Sequence, residues 1–205
     1  MADLIKDSLF VEMAETPLSE AESAYYLREG WKLIYEVYPN INQLGCLWSQ
    51  FQLESGLGKK MRCFNYGNIK KTAGHSWTMY QCHEYINGVK QVFYPPHIQT
   101  GFNAYSDPIL GAKEYIEFLK NRKRYLAAWD GLVAGDLARF NRGLKAGGYY
   151  TADETAYLNR LQFHWKDFQK NAEKFLAWQP ETPLPVVELV DRLSRLFNQF
   201  LTSRL

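Results

Sequence analysis

The stretch LWSQFQLESGLGKKMRCFNYGNIK, from Leu47 to Lys70, governs how this chain folds. Its first part continues an apolar pattern that starts near Gln43 and recurs every three to four residues, at Leu44, Leu47, Trp48, Phe51 and Leu53. That spacing is typical of an α-helix buried along one side. Gly56 and Gly58 follow, and glycine readily takes the left-handed conformation that closes a helix. The pattern predicts a helix over 43–55, followed by a glycine-bearing loop that leads into a hairpin.

Glu54 is the acid in the last turn of this predicted helix, partly enclosed by its apolar neighbours. The negative end of the helix dipole and the loss of bulk water both disfavour an ionised carboxylate, so we expect a raised pKa. A glutamate that keeps its proton near neutral pH can act as a general acid. The structural alternative is a helix-end glutamate that only caps the helix or pairs with Lys59 or Lys60.

Length and composition favour one globular unit with a full core. The chain has 205 residues, of which 46% are hydrophobic and 16% aromatic. The formal net charge of +2 is too small to indicate nucleic-acid binding, which leaves the lysine pairs near Glu54 as weak support for that class. No stretch approaches the roughly 20 apolar residues of a membrane span. The first residues lack a basic segment followed by an apolar run, so we expect no signal peptide in the sequence as given.

The cysteines and histidines do not indicate a metal site. Three cysteines give an odd count without CxxC spacing. A bridge between Cys63 and Cys82 fits the sequence, but free buried thiols are favoured. The four histidines stand apart, without the spacing of metal ligands. We therefore expect neither a metal nor a cofactor.

Helices are predicted on both sides of the central stretch. Ser19 and Glu22 form a capping box that opens a helix ending at Pro39. Later caps and glycines predict helices over 108–119, 124–133 and from 135–136 to 147–148, and a long one opened by a second capping box, Thr151–Glu154. Pro180, Pro183 and Pro185 then form a linker to an amphipathic helix, 186–205, which docks on the domain or mediates association; docking is favoured.

Between these helices the apolar period changes from near four to two. Residues 75–86 alternate in part, Asn87-Gly88 suits a type I′ turn, and 89–94 supply the returning strand. A third strand is expected at 102–105. We predict an N-terminal arm over 1–18, a domain over 19–178 with a β-lobe at about 72–105, and a linker with a C-terminal helix over 179–205.

Five motifs in this chain occur together in one known family. They are a helix ending in glutamate, small hydroxyl residue and glycine (50–58); an asparagine, aromatic, glycine, isoleucine and lysine loop (65–70); Trp77 followed by a hairpin with a glutamate before its turn (83–88); a post-hairpin segment (102–105); and a glycine-tyrosine motif (148–151). In this order they resemble the flagellar and autolysin type of endo-β-N-acetylglucosaminidase, a glycoside hydrolase of the lysozyme-like group that cleaves bacterial peptidoglycan. The resemblance runs from about Leu44 to Leu161.

The resemblance implies a mainly α (α+β) fold, in which a lysozyme-like helical domain carries a small antiparallel β-hairpin lobe. The chain departs from the family pattern by an extra Asn68 between Gly67 and Ile69, by Gln52 where a small residue is common, and by Gly147 in place of alanine. The resulting Gly-Asn-Ile sequence also resembles other peptidoglycan lysozymes. A muramidase or a lytic transglycosylase acting on the same polymer therefore stays open as an alternative.

The resemblance also implies roles for individual residues. Glu54 is the expected general acid, and Tyr149 is expected to orient the reacting sugar or to hydrogen-bond near the anomeric centre. The alternative for Tyr149 is simple packing. Glu84, the only acid between Glu54 and Asp107, is the candidate second carboxylate. Its possible tasks are to stabilise an oxocarbenium-like transition state, activate water or assist an acetamido nucleophile. The alternative for Glu84 is a solvated strand residue.

Substrate contacts are expected from aromatic and amide side chains. Aromatic faces match the apolar faces of pyranose rings, which makes Tyr66, Trp77, Tyr80 and Tyr105 candidates for sugar stacking. Gln50 and Asn68 are candidates to bind acetamido or hydroxyl groups. We expect a monomeric, bacteriolytic autolysin or endolysin type of hydrolase that acts on the peptidoglycan strand at the bacterial cell wall, with no nucleic-acid partner. The alternative from another class is a non-catalytic wall-binding or virion structural module.

Overall fold

The computed structural model describes residues 5–86 and 89–181 of the chain. In this part the helices are α1 (Glu20–Tyr35), α2 (Ile41–Ser55), α3 (Pro108–Asn121), α4 (Leu126–Ala134), α5 (Leu137–Ala146) and α6 (Glu154–Ala177). The strands, all between α2 and α3, are β1 (Trp77–Met79), β2 (Cys82–Ile86), β3 (Val89–Phe93) and β4 (Gly101–Asn103). Short 3₁₀ turns precede β4 and α4. The predicted mainly α fold with a small antiparallel β-lobe is confirmed.

Helix α2 is the most buried element of the helical lobe and packs against α1, α4 and α6. The Asn40 side chain accepts hydrogen bonds from the first backbone N–H groups, so the helix begins at Ile41, before the predicted start. Gly56 closes it in the left-handed conformation, with φ +58°, as predicted. Leu47 and Phe51 are completely buried, and burying each such side chain contributes about 1.5–3 kcal/mol.

The other helix ends are only partly as predicted. The capping box of Ser19 and Glu22 is confirmed. Helix α1 ends at Tyr35 rather than Pro39, because Glu36 takes a left-handed conformation with φ +61°. The predicted capping box at Thr151 is wrong, since Asp153 caps α6 by accepting a hydrogen bond from the Ala156 N–H.

The β-lobe consists of two separate antiparallel pairs, where the sequence pattern predicted one sheet. β1 pairs with β4, and β2 pairs with β3. The predicted strand over 75–86 is interrupted at Tyr80, whose N–H donates to the Thr100 carbonyl and whose ring stacks on Phe102 with centroids 4.1 Å apart. The predicted Asn87-Gly88 turn lies outside the described residues. On either side of it, Ile86 pairs with Val89.

The described part of the predicted N-terminal arm is bound along the β-lobe. The backbone of Val11 donates to the Trp77 carbonyl at 2.9 Å, and Trp77 donates back to Leu9 at 3.0 Å. Further along, Cys63 donates to Ala14 at 2.9 Å. Residues 5–18 therefore form a strap that is tied to the domain by backbone hydrogen bonds. We call residues 5–18 the N-terminal strap.

The C-terminal end of the described chain packs on α1. Trp178 follows α6 and lies edge-on to Tyr25 and Tyr26, and Arg28 donates to the Leu176 carbonyl at 3.2 Å. The predicted helix over 186–205 lies outside the described residues. Over 5–86 and 89–181, no helix combines the length and the apolar character needed to cross a bilayer.

Candidate active site

Glu54 lies in the last turn of α2, partly buried, with a tyrosine hydroxyl on one of its oxygens. Tyr157, from the first turn of α6, donates to Glu54 Oε1 at 2.6 Å and is itself buried. Burial raises the pKa of Glu54, while the Tyr157 hydrogen bond and the nearby Arg160 charge act in the opposite direction. Within the described residues, the ion pairs include neither Lys59 nor Lys60 with Glu54. The expected raised pKa is therefore present, without the alternative pairing.

A buried layer of polar side chains lies behind Glu54. Gln50 precedes Glu54 by one helical turn, which puts both on the same face of α2. Gln50 accepts a hydrogen bond from the Tyr115 hydroxyl, and both side chains are buried. The burial of Gln50 argues against its predicted role in substrate binding. Gln50 also forms a side-chain hydrogen bond with Tyr157, the residue that donates to Glu54.

Tyr149 lies near Glu54 but bonds elsewhere. Its hydroxyl donates to the Gly67 carbonyl at 3.1 Å, which joins the segment after α5 to the loop after α2. Burial, together with the nearby charges of Glu54 and neighbouring tyrosines, raises the pKa of Tyr149 well above its usual range. The structure therefore brings Glu54, Tyr149 and Tyr157 together. Only Tyr157 among these tyrosines touches the carboxylate.

The loop over 65–70 is shaped by one buried asparagine. The Asn65 amide donates to the carbonyls of Ile69 and Asn103 and accepts from the Ile69 N–H, at distances of 2.8–3.0 Å. A Cβ on Gly67 would lie 2.8 Å from the Tyr115 ring, so glycine is needed for this close approach. Asn68 is exposed, with φ +47°, and accepts from the Tyr80 hydroxyl at 3.4 Å. Asn68 is the amide candidate that remains available to a ligand.

Glu84 lies on β2 and has surroundings of another kind. Its Oε1 is 2.9 Å from Lys70 Nζ, and its side chain is 41% exposed. The partner of Glu84 is thus the Lys70 ammonium, whereas the partner of Glu54 is the Tyr157 hydroxyl. The two candidate carboxylates are therefore held by different elements and by different chemistry.

The aromatic candidates are more enclosed than predicted. Trp77 is 0% exposed, with its Nε1 donating to Asp7 at 2.7 Å and the Phe10 ring edge-on to it. Tyr66 is 1% exposed and packs on Phe51. This burial argues against sugar stacking by either ring. Tyr80 and Tyr105 are also mostly buried, with exposed fractions of 9% and 8%.

Comparisons with known proteins show which solved structures share this fold. No family model and no curated protein matches the sequence. Among solved structures, a peptidoglycan hydrolase mutant from Sphingomonas sp. A1 superposes with a TM-score of 0.54 at 21% identity, covering 74% of this chain and 99% of that one. The catalytic domain of the autolysin Auto from Listeria monocytogenes gives 0.55 at 16% identity, covering 76% and 88%.

A third structure is a glycoside hydrolase domain of FlgJ from Salmonella typhimurium, with a TM-score of 0.50 at 21% identity, covering 74% of this chain and 99% of that one. The chain has the fold of peptidoglycan hydrolases. The predicted lysozyme-like architecture is confirmed by this likeness, which at such low identity concerns the fold alone.

Within this peptidoglycan-hydrolase fold, the sequence pattern missed two residues beside Glu54. The sequence pattern singles out neither Tyr157 nor Arg160, and Tyr157 fits the apolar face of α6. Their spacing of three residues does put both on one face of α6. Nothing in a single sequence links that face to the end of α2, because the contact spans more than a hundred positions of the chain.

The cysteines and other ligand types do not form a metal centre in the described part of the fold. Cys46, Cys63 and Cys82 are free thiols, so Cys63 and Cys82 are not bridged. Among residues 5–86 and 89–181, no three histidine, cysteine, aspartate or glutamate side chains cluster as metal ligands would.

Proposed function

We propose that this protein is a peptidoglycan glycosidase that hydrolyses the β-1,4 glycan backbone on the reducing side of N-acetylglucosamine, with Glu54 as its general acid. The observation that supports this most is the environment of Glu54. A carboxyl whose pKa is raised by burial, at the end of α2 in a peptidoglycan-hydrolase fold, is suited to carry the catalytic proton. The printed names of the structural neighbours support the choice of polymer.

The hydrogen bond from Tyr157 explains which oxygen of Glu54 delivers the proton. Oε1 accepts from the tyrosine hydroxyl, so the proton resides on Oε2. Glu54 gives this proton to the glycosidic oxygen as the bond from that oxygen to the anomeric carbon breaks. The carboxylate left behind keeps the Tyr157 hydrogen bond, which stabilises its new charge. Water then supplies a hydroxyl to the anomeric carbon and a proton that restores Glu54.

The remaining roles are assigned to residues of both lobes. Glu84 is the second carboxylate and stabilises positive charge at the anomeric carbon or activates the water. Tyr149, anchored on Gly67, orients the reacting sugar. Asn68 offers its exposed amide to an acetamido or hydroxyl group, and Tyr80 and Tyr105 contribute edges to the sugar-binding surface. The protein acts as a monomer on the glycan strand at the bacterial cell wall.

The decisive experiment is a digest of purified peptidoglycan by wild type and Glu54→Gln, followed by borohydride reduction and mass spectrometry. Because general acid catalysis contributes about 10²–10⁴-fold, the variant should release fragments slower by that factor and still sediment with cell walls. Glu173→Gln, an exposed glutamate on α6, is the matched control and should digest at the wild-type rate.

Four results contradict the proposal at different levels. Wild-type digestion by Glu54→Gln removes Glu54 from the mechanism. Reduced muramic acid at the new ends indicates a muramidase, and anhydro-muramic ends indicate a lytic transglycosylase. Wall binding without any cleavage by the wild-type protein identifies a binding module.

A further inference from the structure

We propose that Lys70 is a positioning residue, which holds the Glu84 carboxylate in its working place from across the β-lobe. The inference rests on the proposed function of Glu84, and it extends that function to a residue that touches no reacting atom. It is carried by the contacts of one ammonium group and by the exposure of β3, the strand that pairs with the one bearing Glu84.

The ammonium of Lys70 joins three separate segments. Its Nζ lies 2.9 Å from Glu84 Oε1 and donates to the Gln99 carbonyl at 2.7 Å. The same Nζ lies 4.3 Å from the centre of the Phe102 ring, a cation–π distance, and 3.8 Å from Cys82 Sγ. The Lys70 backbone also forms an antiparallel bridge with Phe102. Lys70 is therefore fixed by β4 and the turn before it, and Glu84 is fixed by Lys70.

The strand that carries Glu84 belongs to a separate two-stranded pair. β2 and β3 pair only with each other, apart from the sheet of β1 and β4. Along β3, Val89 is 62% exposed and Val92 43% exposed, so the pair has no apolar core on that strand. A two-stranded hairpin of this kind has little stability of its own. The place of Glu84 consequently depends on polar contacts between the hairpin and the rest of the lobe.

The ion pair between Lys70 and Glu84 should affect the position of the carboxylate more than the stability of the fold. The side chains of Lys70 and Glu84 are 42% and 41% exposed, and ion pairs in such surroundings contribute little to folding. A carboxylate that moves by about 1 Å can nevertheless lose up to 100-fold in rate. Loss of the Lys70 charge should therefore lower turnover while the protein stays folded.

The neighbouring lysine provides a matched control. Lys71 has contacts of the same types, since its Nζ lies 3.0 Å from an Asp7 oxygen and 3.4 Å from the centre of the Trp77 ring. These contacts reach the N-terminal strap and β1, and not β2. A change at Lys71 thus removes a charge, an ion pair and a cation–π contact from the same lobe, and leaves Glu84 untouched.

The test measures kcat and KM on solubilised glycan strands for Lys70→Met, Lys70→Arg, Glu84→Gln, Lys71→Met and the double variant Lys70→Met/Glu84→Gln. Lys70→Met should lower kcat about 10- to 100-fold with little change in KM, because the carboxylate is displaced. Lys70→Arg should restore part of the rate. The double variant should be no slower than Glu84→Gln alone, since Lys70 acts through Glu84.

A second measurement reads the same contact without catalysis. Amide hydrogen exchange along β2 should become faster in Lys70→Met, with α2 and α6 unchanged, because the hairpin loses its anchor. Lys71→Met should leave that exchange and kcat at the wild-type level. These exchange data report on Lys70 even if the glycan assay shows no cleavage.

The outcomes that overturn the inference differ from those that overturn the proposed function. Additive losses in the double variant, equal losses from Lys70→Met and Lys71→Met, a wild-type rate in Glu84→Gln, or unchanged β2 exchange each refute the role of Lys70. Full activity in Glu54→Gln, or products of another class, refutes the proposed function whatever Lys70 does.

Discussion

The helical lobe and the β-lobe each carry one candidate carboxylate, in contrasting surroundings. Glu54 ends a helix enclosed by α1, α4 and α6, and its partner is the hydroxyl of buried Tyr157. Glu84 sits on a two-stranded hairpin whose described strand β3 is largely exposed, and its partner is the charge of half-exposed Lys70. An acid must keep a proton and so benefits from burial, whereas an ionised carboxylate is better kept in a hydrated, cationic setting.

The largest expected difference between the lobes is in folding stability. Phe168 is 0% exposed and packs on Trp48 with ring centroids 5.3 Å apart. Phe168→Ala should lower the free energy of unfolding by about 3–5 kcal/mol through cavity formation. Val92→Ala, on the exposed hairpin, should change it by less than about 0.5 kcal/mol. Urea denaturation of both variants checks this contrast, and similar losses would show that the hairpin is part of one cooperative core.

The next largest effect concerns how Tyr157, in the helical lobe, controls the pKa of Glu54. Tyr157→Phe removes a hydrogen bond that lowers the Glu54 pKa, so that pKa should rise above its already raised value. A general acid works while protonated, and activity is lost as pH rises through its pKa. The alkaline limb of the pH–rate profile should therefore move to higher pH, and the maximal rate should fall about fivefold, because a hydrogen bond that contributes roughly 1 kcal/mol is lost.

Tyr150→Phe is the control for that profile. Its ring stacks on Tyr157 with centroids 3.6 Å apart, but its hydroxyl donates to Asn141 and not to Glu54. The Tyr150→Phe variant should lose activity over the same alkaline pH range as the wild-type protein. A limb that stays in place in Tyr157→Phe, or moves equally in Tyr150→Phe, would mean that the tyrosine hydroxyl does not tune the acid.

The smallest effect tests whether charge also holds the N-terminal strap on the β-lobe. Hydrogen bonds from Trp77 and Lys71 lower the pKa of Asp7 to about 2. A lowered pKa stabilises the fold above the unfolded value, near 3.9, and this stabilisation is lost as pH falls from about 4 through 2. Asp7→Asn should therefore lower the melting temperature slightly at neutral pH, and the difference from wild type should shrink below pH 4.

Asp130→Asn offers the comparison in the helical lobe, where Asp130 lies 3.5 Å from Arg139 and is 62% exposed. It should have less effect than Asp7→Asn at neutral pH. A difference between wild type and Asp7→Asn that persists undiminished at pH 2 would show that Asp7 does not act through its charge.

Features that depend on neighbouring residues were well predicted. The helix over 43–55, its closure at Gly56 and the Ser19 capping box follow from local spacing, and each is present. Of the predicted hairpin between 75–86 and 89–94, the pairing of 82–86 with 89–93 is present. The raised pKa of Glu54 was also predicted, because its helix end and apolar neighbours lie within a few residues. The capping box at Thr151 failed because Asp153 competes for the same N–H groups.

Features that depend on residues far apart in the chain were not predicted. The alternation over 75–86 gave no sign that Tyr80 would divide it between two sheets, since that division arises from contacts with Thr100 and Phe102. Aromatic type alone made Trp77 a sugar-binding candidate, while its burial under Phe10 depends on where the N-terminal strap runs.

Hydrophobic period, caps and turn residues were enough to identify a helical domain with a β-hairpin and to single out Glu54, because these signals act over a few bonds of the chain. The partners of the two carboxylates, Tyr157 for Glu54 and Lys70 for Glu84, emerge only from packing. Their side chains come from elements far apart in the chain, and a hydrogen bond across such a distance exists only after the core has brought those elements together.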